Sequence, residues 1–126
     1  MVLALACVLG ACGTAGREAD ADAVVKRFQT ALAGGDGAAA CAELSEETAQ
    51  ALERQEGEPC DEAILSLELP KGSRVGATKV EVTSAAVSLA GGGTLFLDEA
   101  PGGWEISAAG CSPTAPDRPF DCELES

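Results

Sequence analysis

The hydrophobic period of this chain changes near Arg74, and that change limits the folds open to it. Ahead of it, apolar residues recur at helical offsets, with Val24, Val25, Phe28, Ala31 and Leu32 on one face. Beyond it they alternate with polar or small residues: Val80 and Val82, then Ala85, Val87 and Leu89, then Trp104, Ile106 and Ala108. A run of helices followed by a run of half-buried strands points to an α+β fold, with N-terminal helices packed on one face of a curved antiparallel β-sheet meander.

Punctuation along the chain gives the elements approximate bounds. Asp20 or Asp22 is suited to cap a first helix that Gly34-Gly35 ends near Ala33. Asp36 then caps a short alanine-rich helix over 38–44. Ser45 caps a third, with Glu46 and Glu47 in its dipole-favourable first turn and Gly57 as its stop. Pro59 opens a further helical turn. The stretch 65–69 alternates like a strand yet follows directly on that turn, so both states stay open. Gly91-Gly92-Gly93 and Pro101-Gly102-Gly103 read as hairpin turns, and 120–124 as a last short strand.

Six cysteines divide by position. The segment 1–11, MVLALACVLGA, is apolar and too short for a membrane-spanning helix of about 20 residues; it suits the hydrophobic part of a signal peptide. Leu9-Gly10-Ala11-Cys12 resembles the bacterial lipobox, which implies lipidation of Cys12, by palmitate or a similar acyl chain, and a secreted, membrane-anchored product. Cys7 fits less well, since Ala4-Leu5-Ala6 places no large residue at the first lipobox position. The pattern departs from the usual signal in having no Lys or Arg ahead of the apolar run, which points to an upstream start or a weaker export signal. The expected organisation is a signal peptide over 1–11, a flexible tether over 12–21 and one domain over 22–126.

Cys41, Cys60, Cys111 and Cys122 remain, an even number in a small exported chain, so disulfides are the default. Three connectivities are open. Cys41 with Cys60 and Cys111 with Cys122 is the favoured one, because each bridge stays within one local region. Zinc and redox sites need close cysteine pairs such as C-x-x-C, which do not occur.

Charge and composition narrow the chemistry. With 21 acidic against 8 basic residues the net charge is −13, which argues against nucleic acid as a partner, because phosphate binding needs clustered Lys and Arg. The chain has neither His nor Tyr, so two common acid–base side chains are missing. The acid pairs Asp98-Glu99 and Glu46-Glu47 are the remaining carboxylate candidates. Neighbouring residues on a strand point to opposite faces, and first-turn glutamates usually face solvent. Asp20, Asp22, Asp36 and Asp61-Glu62 lack the spacing of a calcium loop. Trp104 alternates with Ile106 and is expected to anchor the core. No cofactor, metal or catalytic residue is assigned.

The segment Val-Lys-Arg-Phe-Gln-Thr-Ala-Leu-Ala-Gly-Gly-Asp at 25–36, followed by a strand meander, resembles the opening of nuclear-transport-factor-two-like (cystatin-like cone) domains. Gly102-Gly103-Trp104-Glu105-Ile106, with Cys111-Ser112-Pro113 and Pro119-Phe120-Asp121-Cys122, is similar to the end of an uncharacterised bacterial lipoprotein family. The first resemblance implies a cone that can hold a cavity and, in some relatives, isomerase or dehydratase chemistry. The expected function is that of a lipid-anchored binding or interaction module on the extracytoplasmic face of the bacterial cell membrane, without assignable catalysis. Its expected partners are the membrane, through lipid on Cys12, and an envelope protein or a small apolar ligand. The alternatives are a small cavity enzyme using carboxylates and a structural envelope component. A cavity or apolar surface patch without convergent titratable groups would favour the binding module, a buried carboxylate beside a second polar group the enzyme, and a filled interior with every acid exposed would count against both and favour the structural role.

Overall fold

A computed structural model describes residues 12–116 and 119–126. Four helices, α1 (Cys12–Ala33), α2 (Gly37–Ala42), α3 (Glu46–Glu56) and α4 (Cys60–Ser66), precede five strands, β1 (Val75–Val80), β2 (Ser84–Leu89), β3 (Thr94–Ala100), β4 (Gly103–Pro113) and β5 (Phe120–Glu125). The strands form one open sheet in the order β1-β2-β3-β4-β5, every neighbouring pair antiparallel. This is an α+β meander. The segment 1–11, expected as a signal peptide and containing Cys7, lies outside the described residues.

The first helix is longer than its sequence suggests. It begins at Cys12 rather than after a cap at Asp20 or Asp22, so the stretch 12–21, expected as a flexible tether, forms its first turns. Ala15, Arg17, Glu18, Ala19 and Ala21 are all competent helix formers, and they outweigh Gly13 and Gly16. From Ala21 onward α1 joins the core. Val24, Val25, Phe28 and Leu32 belong to one buried cluster with Leu52 and Ile64 of the short helices and Val87, Leu95, Leu97 and Ile106 of the sheet.

The short helices are held by local chemistry, since none is long enough to be stable alone. The Asp36 side chain accepts a hydrogen bond from Ala39 N at 3.0 Å and caps α2. Ser45 Oγ accepts from Thr48 N and caps α3, which ends at Gly57 in the left-handed conformation (φ 69°). The Cys41–Cys60 disulfide joins α2 to α4, with Cα atoms 6.2 Å apart. Between α2 and α3, Ser45 N donates to Ile106 O and Ile106 N to Glu43 O, both at 2.9 Å. The helical half is thereby paired directly to the middle of β4.

Two details differ from the alternation of the sequence. Val82, expected on a half-buried strand, is 84% exposed in the β1–β2 turn, where Glu81 N donates to Ser84 O. Residue 66 ends α4, after which Leu67 and Leu69 are buried without belonging to a strand. Register shifts occur in β1 at 75–77 and along the β3–β4 pair at 94–97; such bulges bend strands and bring two successive residues toward one face. Ala108 and Ala109 are accordingly both buried. Beyond them Cys111 lies opposite Cys122 and is bonded to it, fastening β5 to β4. The two bridges are the favoured pairing.

Candidate functional site

Among the described residues, helices and sheet meet in one packed hydrophobic cluster. The gap bounded by Phe28, Leu69, Leu89 and Leu95 measures only about 10 Å³, too little for a ligand. Buried polar side chains among the described residues are Gln29, Ser45 and Thr48, each tied into the fold. Thr48 Oγ1 donates to Ser107 O at 3.0 Å and lies 2.7 Å from Ser45 Oγ. Every described Asp and Glu is exposed or half-buried.

The carboxylates singled out by sequence do not converge. Asp98 and Glu99 are both exposed at the end of β3. Glu99 accepts a hydrogen bond from Arg17 at 3.0 Å. Glu46 accepts from Gln50 Nε2 one turn further along α3, and Glu47 is exposed. Glu99 borders a surface hollow with Arg17 and Asp20, where its carboxylate is taken up by Arg17, and Asp98 lies on a separate open hollow beside Ser107. No group of three or more metal-ligating residues occurs among the described residues. No described helix is long and apolar enough to cross a membrane.

The hollows lie on the outside. A cleft of about 640 Å³ runs between α1 and β1, bordered by Glu18, Asp22, Lys26 and Gln29 on the helix and by Ser73, Arg74 and Thr78 on the facing chain. Offsets of four place Glu18, Asp22 and Lys26 on one side of the helix. Gln29 fixes the far end: its Oε1 accepts from Ser73 N at 3.0 Å and its carbonyl from Gly72 N at 3.2 Å. At the near end Thr78 Oγ1 donates to Asp22 Oδ1. These bonds hold both walls while leaving polar groups along them open to solvent.

A smaller hollow of about 340 Å³ involves Arg17, Asp20, Arg27, Glu99 and Trp104. Arg17 closes one side of it. Its Nη2 donates to Val82 O at 2.7 Å and to Glu99, and its guanidinium carbon lies 5.3 Å from the centre of the Trp104 ring. Trp104 is buried, as its alternation with Ile106 predicts, and carries this cation on its face. Arg27 makes a two-pronged contact with Glu43, at 2.8 and 3.2 Å. That hydrogen bond raises the pKa of the guanidinium above its ordinary value. Both arginines are therefore engaged in fastening α1.

Cys12 is the first residue of α1. Cys41, Cys60, Cys111 and Cys122 are all consumed in bridges. Participants that sequence did not single out for a site include Arg17, Lys26, Gln29 and Arg74. Arg17 sits in the stretch expected as a tether; Gln29 is a polar residue inside an otherwise apolar helical face, the one local sign of its role. Against known proteins, the chain matches no family model, no curated protein and no solved structure.

Proposed function

We propose that this chain is a lipid-anchored interaction module of the bacterial envelope, held at the extracytoplasmic membrane face through Cys12 and acting by binding at its outer surface. The observation that carries the binding part is the open polar cleft between α1 and β1. A cavity enzyme needs a secluded carboxylate whose protonation is tuned by its surroundings, and no described Asp or Glu is fully buried. The core gap bounded by Phe28, Leu69, Leu89 and Leu95 is too small for a ligand, which supports binding at the exterior. The anchoring part rests on the lipobox resemblance of Leu9-Gly10-Ala11-Cys12 and on the two disulfides, which suit an oxidising compartment.

A structural envelope role is the second reading, favoured by the packed core and by the lack of a fully buried acid among the described residues. Metabolic labelling with a fatty acid tests the anchoring: label is expected in the wild type and absent from Cys12→Ser, and equal labelling of both would remove it. Crosslinking in intact envelopes tests the rest. Capture of a discrete partner or small ligand supports the binding module, whereas recovery only in a large meshwork supports the structural role.

A further inference from the structure

Three side chains in the α1–β1 cleft offer hydrogen-bond donors that the fold does not use. Lys26 and Arg74 border the same cleft, and neither has an ion-pair partner among the described residues. In a chain of net charge −13, two cations sharing one cleft without a carboxylate bound to either is an arrangement that general attraction would tend to erase. Gln29 is the third. It is only 3% exposed, and its amide oxygen is occupied by Ser73 N. Its Nε2 has no hydrogen-bond partner among the described residues, yet no buried side-chain nitrogen is left unsatisfied. That nitrogen therefore reaches solvent at the surface of an otherwise buried residue, beside Lys26 on the helix and Arg74 next to its own partner Ser73.

The opposite end of the cleft is acidic, with Asp22 and Glu18 about one and two turns before Lys26. At 1.5 Å per residue, Lys26 lies about 6 Å along the helix from Asp22 and about 12 Å from Glu18. An extended peptide spans about 3.5 Å per residue, so two or three residues with free termini cover the same distance. The cleft volume of about 640 Å³ lies within the usual range for small-ligand sites.

We infer that the α1–β1 cleft binds a short zwitterionic peptide, its carboxylate at Lys26, Arg74 and the Gln29 amide nitrogen and its ammonium at Glu18 and Asp22. This rests on the proposed binding role and supplies its ligand class. The lining is polar, so it does not select a small apolar ligand. Gln29 acts as a sensor of correct placement, because its oxygen is fixed and only its donor is free for the ligand.

The test uses the full chain, isotope-labelled and held in detergent micelles, titrated by NMR with three equimolar tripeptide mixtures: free termini, amidated carboxyl end and acetylated amino end. The free mixture is expected to shift backbone amides within 18–30 and 72–78, and each blocked mixture to bind about tenfold more weakly, the loss of one charge-assisted contact. In Lys26→Ala with Arg74→Ala, both exposed positions, free and amidated peptides should bind equally. Glu18→Gln should narrow the difference between free and acetylated peptides. No cleft shift at millimolar peptide, or equal binding of all three mixtures by the wild type, would overturn the inference. Neither outcome bears on fatty-acid labelling at Cys12, so failure here and failure of the anchoring are separate results.

Discussion

A methyl group at Gly37 would lie 1.8 Å from the carbonyl oxygen of Asp61. The start of α2 therefore rests on the first turn of α4 at a distance only glycine permits, and the Cys41–Cys60 bridge holds the same two helices one turn away. Because the obstacle is backbone, a side chain at 37 forces the helices apart rather than pushing aside a flexible neighbour. Gly37→Ala is expected to lose about 3 kcal/mol of stability, the upper part of the range for overpacking, read as a lower urea midpoint. An unchanged midpoint would mean that α2 and α4 separate freely.

Gly16 is the opposite case. It lies within α1, is exposed, and a methyl group there would touch nothing within 4 Å. Gly16→Ala should raise helix content by circular dichroism and stabilise by up to about 1 kcal/mol. Loss of helicity would place 12–21 back among the tether residues expected from sequence.

The two bridges join cysteines 19 and 11 positions apart in sequence. On the chain-entropy account the first stabilises by about 3 kcal/mol and the second by slightly less. Replacing Cys41 and Cys60 together by alanine should lower the denaturation midpoint more than replacing Cys111 and Cys122. Intact mass should rise by about four hydrogens on full reduction, two thiols per bridge; an unchanged mass would remove both staples.

Thr48 is fully buried, and its hydroxyl donates to the carbonyl of Ser107, where β4 is bulged. Thr48→Val keeps the shape and leaves that carbonyl without this donor, at an expected cost of about 1 to 2 kcal/mol. Ser45→Ala, which removes the α3 cap, should cost about 1 kcal/mol. Since the two hydroxyls also meet each other at 2.7 Å, the double variant should lose less than the sum. Additive losses in chemical denaturation would show that they act independently.

Arg17→Ala removes the contacts with Val82, Glu99 and Trp104 together. Arg17 and Glu99 are 34% and 47% exposed at the side chain, so the expected cost is below about 1 kcal/mol. The sharper readout is hydrogen exchange, which should quicken over 13–20 and stay unchanged over 24–32. Lysine at this position is expected to restore little, having no planar group to cover the indole while binding two oxygens. Full rescue by lysine would reduce the contact to simple charge pairing.

What was legible in the sequence was whatever local chemistry determines. The buried face of α1, the caps at Asp36 and Ser45, the stop at Gly57 and both glycine turns are each specified within a few residues. Val82 was misplaced because alternation does not reveal where a strand stops and its turn begins. The early start of α1 was hidden for a related reason: two glycines resemble a tether, and the contact that fastens those turns joins Arg17 to residues 65 and 82 positions away. Gln29 and Arg74 share a cleft only after α1 has crossed β1. The packing of the core was equally invisible, since composition counts apolar residues without saying how closely they meet.

The unbroken course of α1 from Cys12 alters what attachment at that residue would mean mechanically. A flexible leader would let the domain tumble beneath an attached lipid, whereas a helix rising 1.5 Å per residue sets Ala21, where α1 enters the core, about 13 Å from Cys12. With Arg17 clasped to Glu99 and Trp104 between those points, a lipid on Cys12 would be joined to the domain by a strut. The bilayer would then set the attitude of the whole molecule, and the mouth of the α1–β1 cleft would keep a fixed height and heading above the membrane.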